Sequence, residues 1–323
     1  MYYLNTKSLA SLDRDWNELA RVIEKAIFCQ GEKEFAQPVK PYLRYRDMSN
    51  RIIAMPAFIG GEFNLSGIKW IASFPKNLDK GIKRAHSVSI LNDADTGIPV
   101  CAINTTLISG IRTASVTGLM IKKYLELRPE LTDLVVGMTG FGPIGQLHLE
   151  MTAALLGDRL KEFRIFDINP IDPSLIPPAL ADKVVLANSF EQAFEQVDLF
   201  ITATVSSKPY IDQKPKPGSL HLNVSLRDYH VQFMDYVDIM IVDDWEEVCR
   251  EKTDIEMMHL EKGLQKEDVL DLVDVFYKRA FEKLDAQQVV MFNPMGMAIF
   301  DIAIGAHFYE KARLENAGIL LEN

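Results

Sequence analysis

The chain carries 323 residues, with 45 acidic against 35 basic side chains, a formal net charge of −10 and 48% apolar residues. That length predicts two domains rather than one core, and the acidic balance, with no lysine- or arginine-rich block, excludes a nucleic-acid-binding surface. No window approaches the roughly eighteen apolar residues that span a bilayer, so no membrane partner is expected.

The start, Met1-Tyr2-Tyr3-Leu4-Asn5, carries no charged and then apolar leader, which makes the cytoplasm the expected compartment. From Asp15 to Phe35 the positions Trp16, Leu19, Val22, Ile23, Ala26 and Ile27 recur at helical spacing and predict an amphipathic first helix. Short strand-like runs follow at Arg51–Pro56, Gly67–Ala72, Ser87–Leu91 and Val100–Ile103, separated by turn signals such as Gly60-Gly61 and Asp95-Thr96-Gly97. The N-terminal third therefore reads as α+β. After Arg112 a helical segment, Thr113 to Leu127, leads into strand runs at Leu134–Thr139, Phe163–Asp167, Val184–Leu186, Leu199–Thr204, Leu220–Val224 and Ile239–Val242. Their alternation with helical stretches is the signature of a parallel, doubly wound α/β sheet. The last segment, Gly296 to Asn316, has helical spacing at Ile299, Ile302, Phe308 and Ala312 and is expected to return to the N-terminal domain. Cys29, Cys101 and Cys249 are isolated and odd in number, which suits buried thiols rather than a disulfide framework or a metal knuckle.

The most informative stretch runs from Leu134 to Gly145, where an apolar run enters the G-x-G-x-x-G turn Gly140-Phe141-Gly142-Pro143-Ile144-Gly145 and continues into a helical segment. In a dinucleotide site the first glycine permits the tight turn. The second lets the backbone approach a pyrophosphate, the third allows close helix–strand packing, and the helix N-terminal amides receive the phosphate charge. A second apolar run ends in Asp167, about twenty residues downstream, where an acid meets the ribose hydroxyls and repels a 2′-phosphate. The cofactor expected is NAD.

Three charged residues suit the remaining chemistry, which is to orient a substrate, neutralise carboxylates and manage one proton. Lys69 lies inside the apolar run Gly67-Ile68-Lys69-Trp70-Ile71, where a buried ammonium needs an anion such as a substrate carboxylate. Arg112 stands at the predicted domain junction with a planar fork suited to carboxylates. Asp228 follows the run His221-Leu222-Asn223-Val224 on the carboxyl side of the sheet, which makes it the proton-transfer candidate. Each has a structural alternative: Lys69 snorkelling from an edge strand, Arg112 in an ion pair, Asp228 capping a turn. The histidines form no ligand pair, and no serine or cysteine sits in a hydrolase motif, so neither a metal site nor covalent hydrolysis is expected.

Gln37-Pro38-Val39-Lys40, Ile53-Ala54-Met55-Pro56, Gly67-Ile68-Lys69-Trp70, Asp95-Thr96-Gly97-Ile98-Pro99, Arg112-Thr113-Ala114-Ser115 and the glycine-rich turn resemble, in order and over nearly the whole chain, the ornithine cyclodeaminase/mu-crystallin family. Lys40-Pro41-Tyr42-Leu43-Arg44, Val242-Asp243-Asp244-Trp245 and Asn293-Pro294-Met295-Gly296-Met297-Ala298 look like its siderophore branch. The resemblance implies a Rossmann-type NAD-binding domain at residues 115–295. It also implies an α+β substrate-binding and dimerisation domain at residues 1–114, completed by a C-terminal helix at 296–323. A homodimer with substrate in the interdomain cleft follows from the same resemblance. It assigns substrate carboxylates to Lys69 and Arg112, with Lys40, Arg44 and Arg84 as further substrate contacts. Catalysis falls to Asp228 with Lys69. Cofactor contacts fall to Thr113, Gly140, Gly142, Pro143, Ile144, Gly145 and Asp167, with Thr204, Val224 and Asn293 as further candidates.

Lys40 stands where most relatives have arginine, and Arg84 where cyclodeaminases usually have a small hydroxylated residue. Both changes turn the expectation away from ornithine, whose cationic tail gains nothing from another guanidinium, and toward a substrate with three carboxylates. The activity implied is NAD-dependent oxidative cleavage of a secondary amine to 2,3-diaminopropionate and 2-oxoglutarate, paired in function with a PLP-dependent synthase. Ornithine cyclodeamination, ketimine reduction and simple ligand binding in the manner of mu-crystallins are the alternatives.

Overall fold

The computed structural model describes residues 1–322. Its first strand, β1 (Tyr2–Asn5), ends on Asn5, whose side chain accepts the amides of Lys7 and Ser8 and so starts α1 (Thr6–Ser11). Asp15 caps Asn17 and Glu18 in the same way at the head of α2 (Trp16–Gly31), which buries Leu19, Ile23, Ala26 and Ile27. The helix stops at Gly31, short of Phe35, because glycine is a poor helix former and the chain turns through Lys33 at φ +64. Phe35–Ala36 becomes β2 instead and pairs with Ile59 and Phe58.

The mixed sheet that follows contains β3 (Tyr42–Leu43), β4 (Arg51–Ile59), β5 (Leu65–Ser73), β6 (Ala85–Asp93) and β7 (Pro99–Asn104). Among the described residues the sheet runs Ile319–Leu320, β1, β7, β6, β5, β4, β2, with β3 also on β4. Lys69 pairs with Met55 on one side and Ser89 on the other, while its neighbour Trp70 pairs with Ala54 and Val88. Strand alternation therefore sends Met55, Lys69 and Ser89 into the interior and leaves Trp70 and Ile90 on the outer face, 40% and 36% exposed.

Next comes α3 (Leu107–Leu127), which begins before Thr113. Thr105 accepts the Leu107 amide, and burial of Ile108, Ile111 and Ala114 carries the helix through Ser109-Gly110. Arg112 is thus a helical residue. The chain divides into two compact units, Met1–Arg112 with Gly296–Asn323 and Thr113–Met295, and the division falls inside α3.

The second unit holds β8 (Leu134–Thr139), α4 (Pro143–Leu156), β9 (Leu160–Phe166), β10 (Val184–Leu186), α5 (Phe190–Phe194), β11 (Leu199–Thr202), β12 (Leu220–Asn223), β13 (Ile239–Val242), α6 (Trp245–Val248), α7 (Asp254–Lys262), β14 (Leu270–Asp271) and β15 (Val290–Asn293). Its strands are parallel, in the order β10-β9-β8-β11-β12-β15-β13-β14. This is the doubly wound sheet predicted, and its direction of growth reverses between β8 and β11. Doubly wound sheets bind ligands outside the carboxyl ends of their strands at such a reversal. Sequence reading missed β15, which slots between β12 and β13: its four residues are buried throughout and show no period. On one flank of the sheet Phe194, Phe200, Tyr229 and Phe233 pack together around His221.

The chain returns to the first unit in α8 (Ala298–Leu314), which packs on β4, β5 and β6 beside α2. Its first turns are buried without interruption, Asp301 included. Cys29 and Cys101 are buried and Cys249 half-buried, all three as free thiols. No helix among the described residues is long and apolar enough to cross a membrane.

Candidate functional site

In the first unit, β5 and α8 bring opposite charges together inside the fold. Lys69 Nζ lies 2.7 Å from Asp301 Oδ2 and donates to Ser109 Oγ at 3.3 Å, while Arg112 Nε donates to Asp301 Oδ1 at 2.9 Å. All three charged side chains are buried. Burial pulls the Lys69 ammonium down to about 7, with Asp301 opposing the fall and the charges of Arg112 and Lys40 adding to it. Burial alone would raise the Asp301 carboxyl, but the charges of Arg112 and Lys69 outweigh it and hold Asp301 below the usual range.

Lys40 belongs to the same cluster. Its buried Nζ donates 2.8 Å to the carbonyl of Gly296, and nearby Gln37 accepts the Ile299 amide, so the Gln37–Lys40 segment anchors the entry to α8. A Cβ at Gly296 would sit 2.6 Å from Arg112 Nη1, which fixes a glycine beside the guanidinium. Lys69 and Arg112 thus meet at Asp301, and Lys40 adds its charge to that of Lys69. Arg44 makes different contacts, donating to Met48 O and lying over the Tyr42 ring. Arg84 is half-buried just before β6, and its carbonyl accepts the Phe74 amide.

Sequence reading left out Asp301. The signal was present: a lone acid in the apolar run Ala298-Ile299-Phe300-Asp301-Ile302-Ala303 is as costly to bury as the lone lysine in β5. Two such residues in one chain, each stranded in an apolar element, point to one another.

In the second unit, Gly140 follows β8 at φ +90, and a Cβ there would lie 2.4 Å from Ala203 O, just past β11. The turn is therefore wedged at the reversal of the sheet, where only glycine fits. Gly145 meets the Gly140 carbonyl equally closely: its Cβ would be 2.2 Å away. Gly142, the N-cap of α4, faces open space, and no side chain caps that helix. Asp167, at the end of β9, accepts the Phe141 amide at 2.7 Å and the Asn169 amide at 2.8 Å.

Asp228 is fully buried beyond β12, where its carboxylate accepts hydroxyl hydrogens from Thr204 and Ser225. Its carbonyl accepts the amides of Tyr210 and Ile211. The Tyr210 hydroxyl donates 2.8 Å to Thr139 Oγ1, and burial together with the charge of Asp228 keeps that phenol protonated. Asn223 bridges the network, donating to Asp254 Oδ2 at 3.0 Å and Asn293 Oδ1 at 2.8 Å. Of the residues singled out from sequence, Thr204, Asp228 and Asn293 are joined by this network. Val224 is a half-buried residue of the loop, and Thr113 accepts the Thr117 hydroxyl within α3. Tyr210, Ser225 and Asp254 were missed, since only the strand ends bring residues 204–229 and 254 together.

A model of the ornithine cyclodeaminase/mu-crystallin family matches residues 6–316. The chain is 30% identical to the N-((2S)-2-amino-2-carboxyethyl)-L-glutamate dehydrogenase of Staphylococcus aureus, over 99% of this chain and 98% of that one. The chain belongs to the ornithine cyclodeaminase/mu-crystallin family. Two solved structures of similar fold are the Thermococcus litoralis Δ1-pyrroline-2-carboxylate reductase with NADH and L-proline, and an archaeal alanine dehydrogenase dimer with bound NAD. The reductase has a TM-score of 0.87 at 20% identity and covers 99% of this chain and 100% of its own. The alanine dehydrogenase has a TM-score of 0.82 at 22% identity and covers 100% and 99%.

Both of these proteins hold a nicotinamide dinucleotide, and the family fold in this chain has residues that suit one. The uncapped amides of α4 and the open space beside Gly142 can take a pyrophosphate, and Asp167 at the next strand end can take ribose hydroxyls. Among the described residues no cluster of three or more histidines, cysteines and acids is arranged to hold a metal ion. His148 and His221 are buried, which pulls them down to about 4 and about 3.

Proposed function

We propose that the protein cleaves N-(2-amino-2-carboxyethyl)-L-glutamate oxidatively to 2,3-diaminopropionate and 2-oxoglutarate, for siderophore or related secondary-metabolite synthesis. The protein is an NAD-dependent dehydrogenase or reductase acting on an amino-acid C–N bond; the substrate is the proposed part. The observation that carries it is the buried cluster in which Lys69 and Arg112 pair with one carboxylate, Asp301, while the buried Lys40, bonded to the Gly296 carbonyl, adds its charge to that of Lys69. That surplus of positive charge suits a substrate with several carboxylates and offers nothing to a cationic tail. The 30% identity to the staphylococcal dehydrogenase supports the same choice.

NAD, held at the α4 amides and Asp167, would supply the hydride acceptor that lets the glutamate Cα–N bond be oxidised to an imine. Lys69 and Arg112 hold carboxylates, and the Lys69 ammonium favours attack by water at the imine carbon. Asp228, oriented by the Thr204 and Ser225 hydroxyls, takes the proton of the secondary amine and returns it as the carbinolamine C–N bond breaks. One water is consumed and one proton released per turnover. Arg44 and Arg84 are the candidates for the third carboxylate, and Arg84→Ala should raise the Michaelis constant for the tricarboxylate; no change would remove the charge argument at that position.

The same reading takes the protein as a homodimer through the outer face of the mixed sheet, where Trp70 and Ile90 are exposed. The archaeal neighbour's dimer supports it. Sedimentation should give twice the 36.5 kDa chain mass, and Trp70→Asp should lower it.

The deciding experiment mixes protein, NAD and N-(2-amino-2-carboxyethyl)-L-glutamate, follows the NADH absorbance band and detects 2,3-diaminopropionate by mass. Growth of both signals supports the proposal. Silence there, with ornithine turned into proline and ammonia, would replace it with cyclodeamination.

A further inference from the structure

Asp228 rides on a backbone that does not hold its shape unaided. Leu226, two residues before it, is buried with φ +63, a left-handed conformation that a leucine rarely adopts. Something must hold this loop, and the contacts converge on one side chain. Asp254 Oδ2 accepts the amides of Asp228 at 3.1 Å and Tyr229 at 3.2 Å and the side chain of Asn223 at 3.0 Å, while the Asp254 amide donates 2.7 Å to the carbonyl of Leu226. Asn223 closes the ring by accepting the Leu226 amide at 3.1 Å. Every hydrogen bond named here runs between the Asn223–Tyr229 loop and the first residue of α7, or within the loop.

A capping role for Asp254 does not explain this. The cap of α7 is Thr253, whose hydroxyl accepts the Glu256 amide, so the Asp254 carboxylate is turned toward the loop rather than spent on its own helix. We propose that Asp254 is the positioning residue of the active site, clamping the strained loop so that the Asp228 carboxylate is presented in one orientation. The inference rests on reading Asp228 as the catalytic carboxylate.

The clamp responds to pH. Burial raises the Asp254 carboxyl to about 7, Asn223 and the Tyr229 amide oppose the rise, and the charge of Asp228 adds to it. The ionisable groups facing it are Asp228 and Tyr229 on the loop and Tyr210 from the preceding segment; Arg227 turns its guanidinium to the carbonyls of Glu251 and Ser225. Below about pH 7 Asp254 takes up a proton and becomes a weaker acceptor for the two amides that fix Asp228. Turnover falls with it.

The test uses full-length Asp254→Asn, Asp228→Asn and the double variant. They are assayed with NAD on whichever of N-(2-amino-2-carboxyethyl)-L-glutamate, ornithine or alanine the native protein turns over. Asp254→Asn should lower kcat about tenfold or more, leave KM for NAD within about twofold, and abolish the acid limb of the kcat profile near pH 7. Its Tm at pH 8 should not fall, because the amide removes a buried charge. The double variant should be no slower than Asp228→Asn, since one residue acts through the other. Native-like kcat with the limb intact, or a joint loss of Tm, NAD affinity and kcat, overturns the proposal. Should Asp254→Asn fail to fold, a native profile without any limb near pH 7 overturns it as well. Full turnover in Asp228→Asn sinks the underlying reading instead, and an inactive Asp228→Asn beside a normal Asp254→Asn sinks the clamp alone.

Discussion

Replacing Asp301 with asparagine removes the single negative charge that two buried cations share. At 2.7 and 2.9 Å, with an effective dielectric of about 20, each ion pair carries roughly 6 kcal/mol of gross attraction, against a desolvation cost of several kcal/mol per ion. Taking one partner from a buried pair typically destabilises by about 3–5 kcal/mol. Here the loss falls toward the lower figure, because Lys69, already drawn down to about 7, can shed its proton when Asp301 no longer supports it. For a chain this size that is a fall in Tm on the order of 5 °C. Urea unfolding followed by tryptophan fluorescence reads the first unit through Trp16 and Trp70, and Trp245 reports on the second. Lys69→Met should cost less than Asp301→Asn, because Asp301 keeps Arg112, and the double variant should lose less than the two singles together by about 1–3 kcal/mol. A loss below about 1 kcal/mol in Asp301→Asn, or strict additivity, would refute the argument that Asp301 is the compensating charge.

Asp228→Asn should reduce kcat at least about 100-fold while NAD affinity, measured by calorimetry, stays within about twofold; equal losses would point to a fold or cofactor role. The glycine turn separates packing from ligand approach. Gly145→Ala, whose methyl meets the Gly140 carbonyl at 2.2 Å, should destabilise by about 1–3 kcal/mol. Gly142→Ala, whose methyl meets open space, should keep its Tm and lose about tenfold in NAD affinity, and a native NAD affinity would remove that glycine from the phosphate site. The Lys69 ammonium is depressed from 10.5 to about 7, so it is increasingly neutral as pH rises past 7, and KM for the carboxylate substrate should climb over that range. In Lys69→Met the KM should start high and stay flat. The sign for stability is the opposite: between about 7 and 10.5 the unfolded chain binds the extra proton, so this group's contribution to stability grows as pH rises there.

Local pattern alone determined the doubly wound half of this protein. Alternating apolar strands and helices, with Gly140, Gly142 and Gly145 at a strand end and Asp167 at the next, are features of neighbouring residues that leave a trace in sequence. So too were the first helix and the strands β4 to β7, though not the end of α2 or the start of α3, where Gly31 broke a periodic run and burial overrode Ser109-Gly110. β15 was not legible, because four residues buried on both faces have no alternation to read. Lys69, Arg112 and Asp228 could be chosen from sequence because each is a charge next to an apolar run. Their partners could not be paired with them: Asp301 lies 232 residues from Lys69, and Asp254 lies 26 from the loop amide it holds. Sequence states how costly a buried charge would be, but only the tertiary fold, by closing α8 onto β5 and the start of α7 onto the Asn223–Tyr229 loop, decides which groups offset that cost.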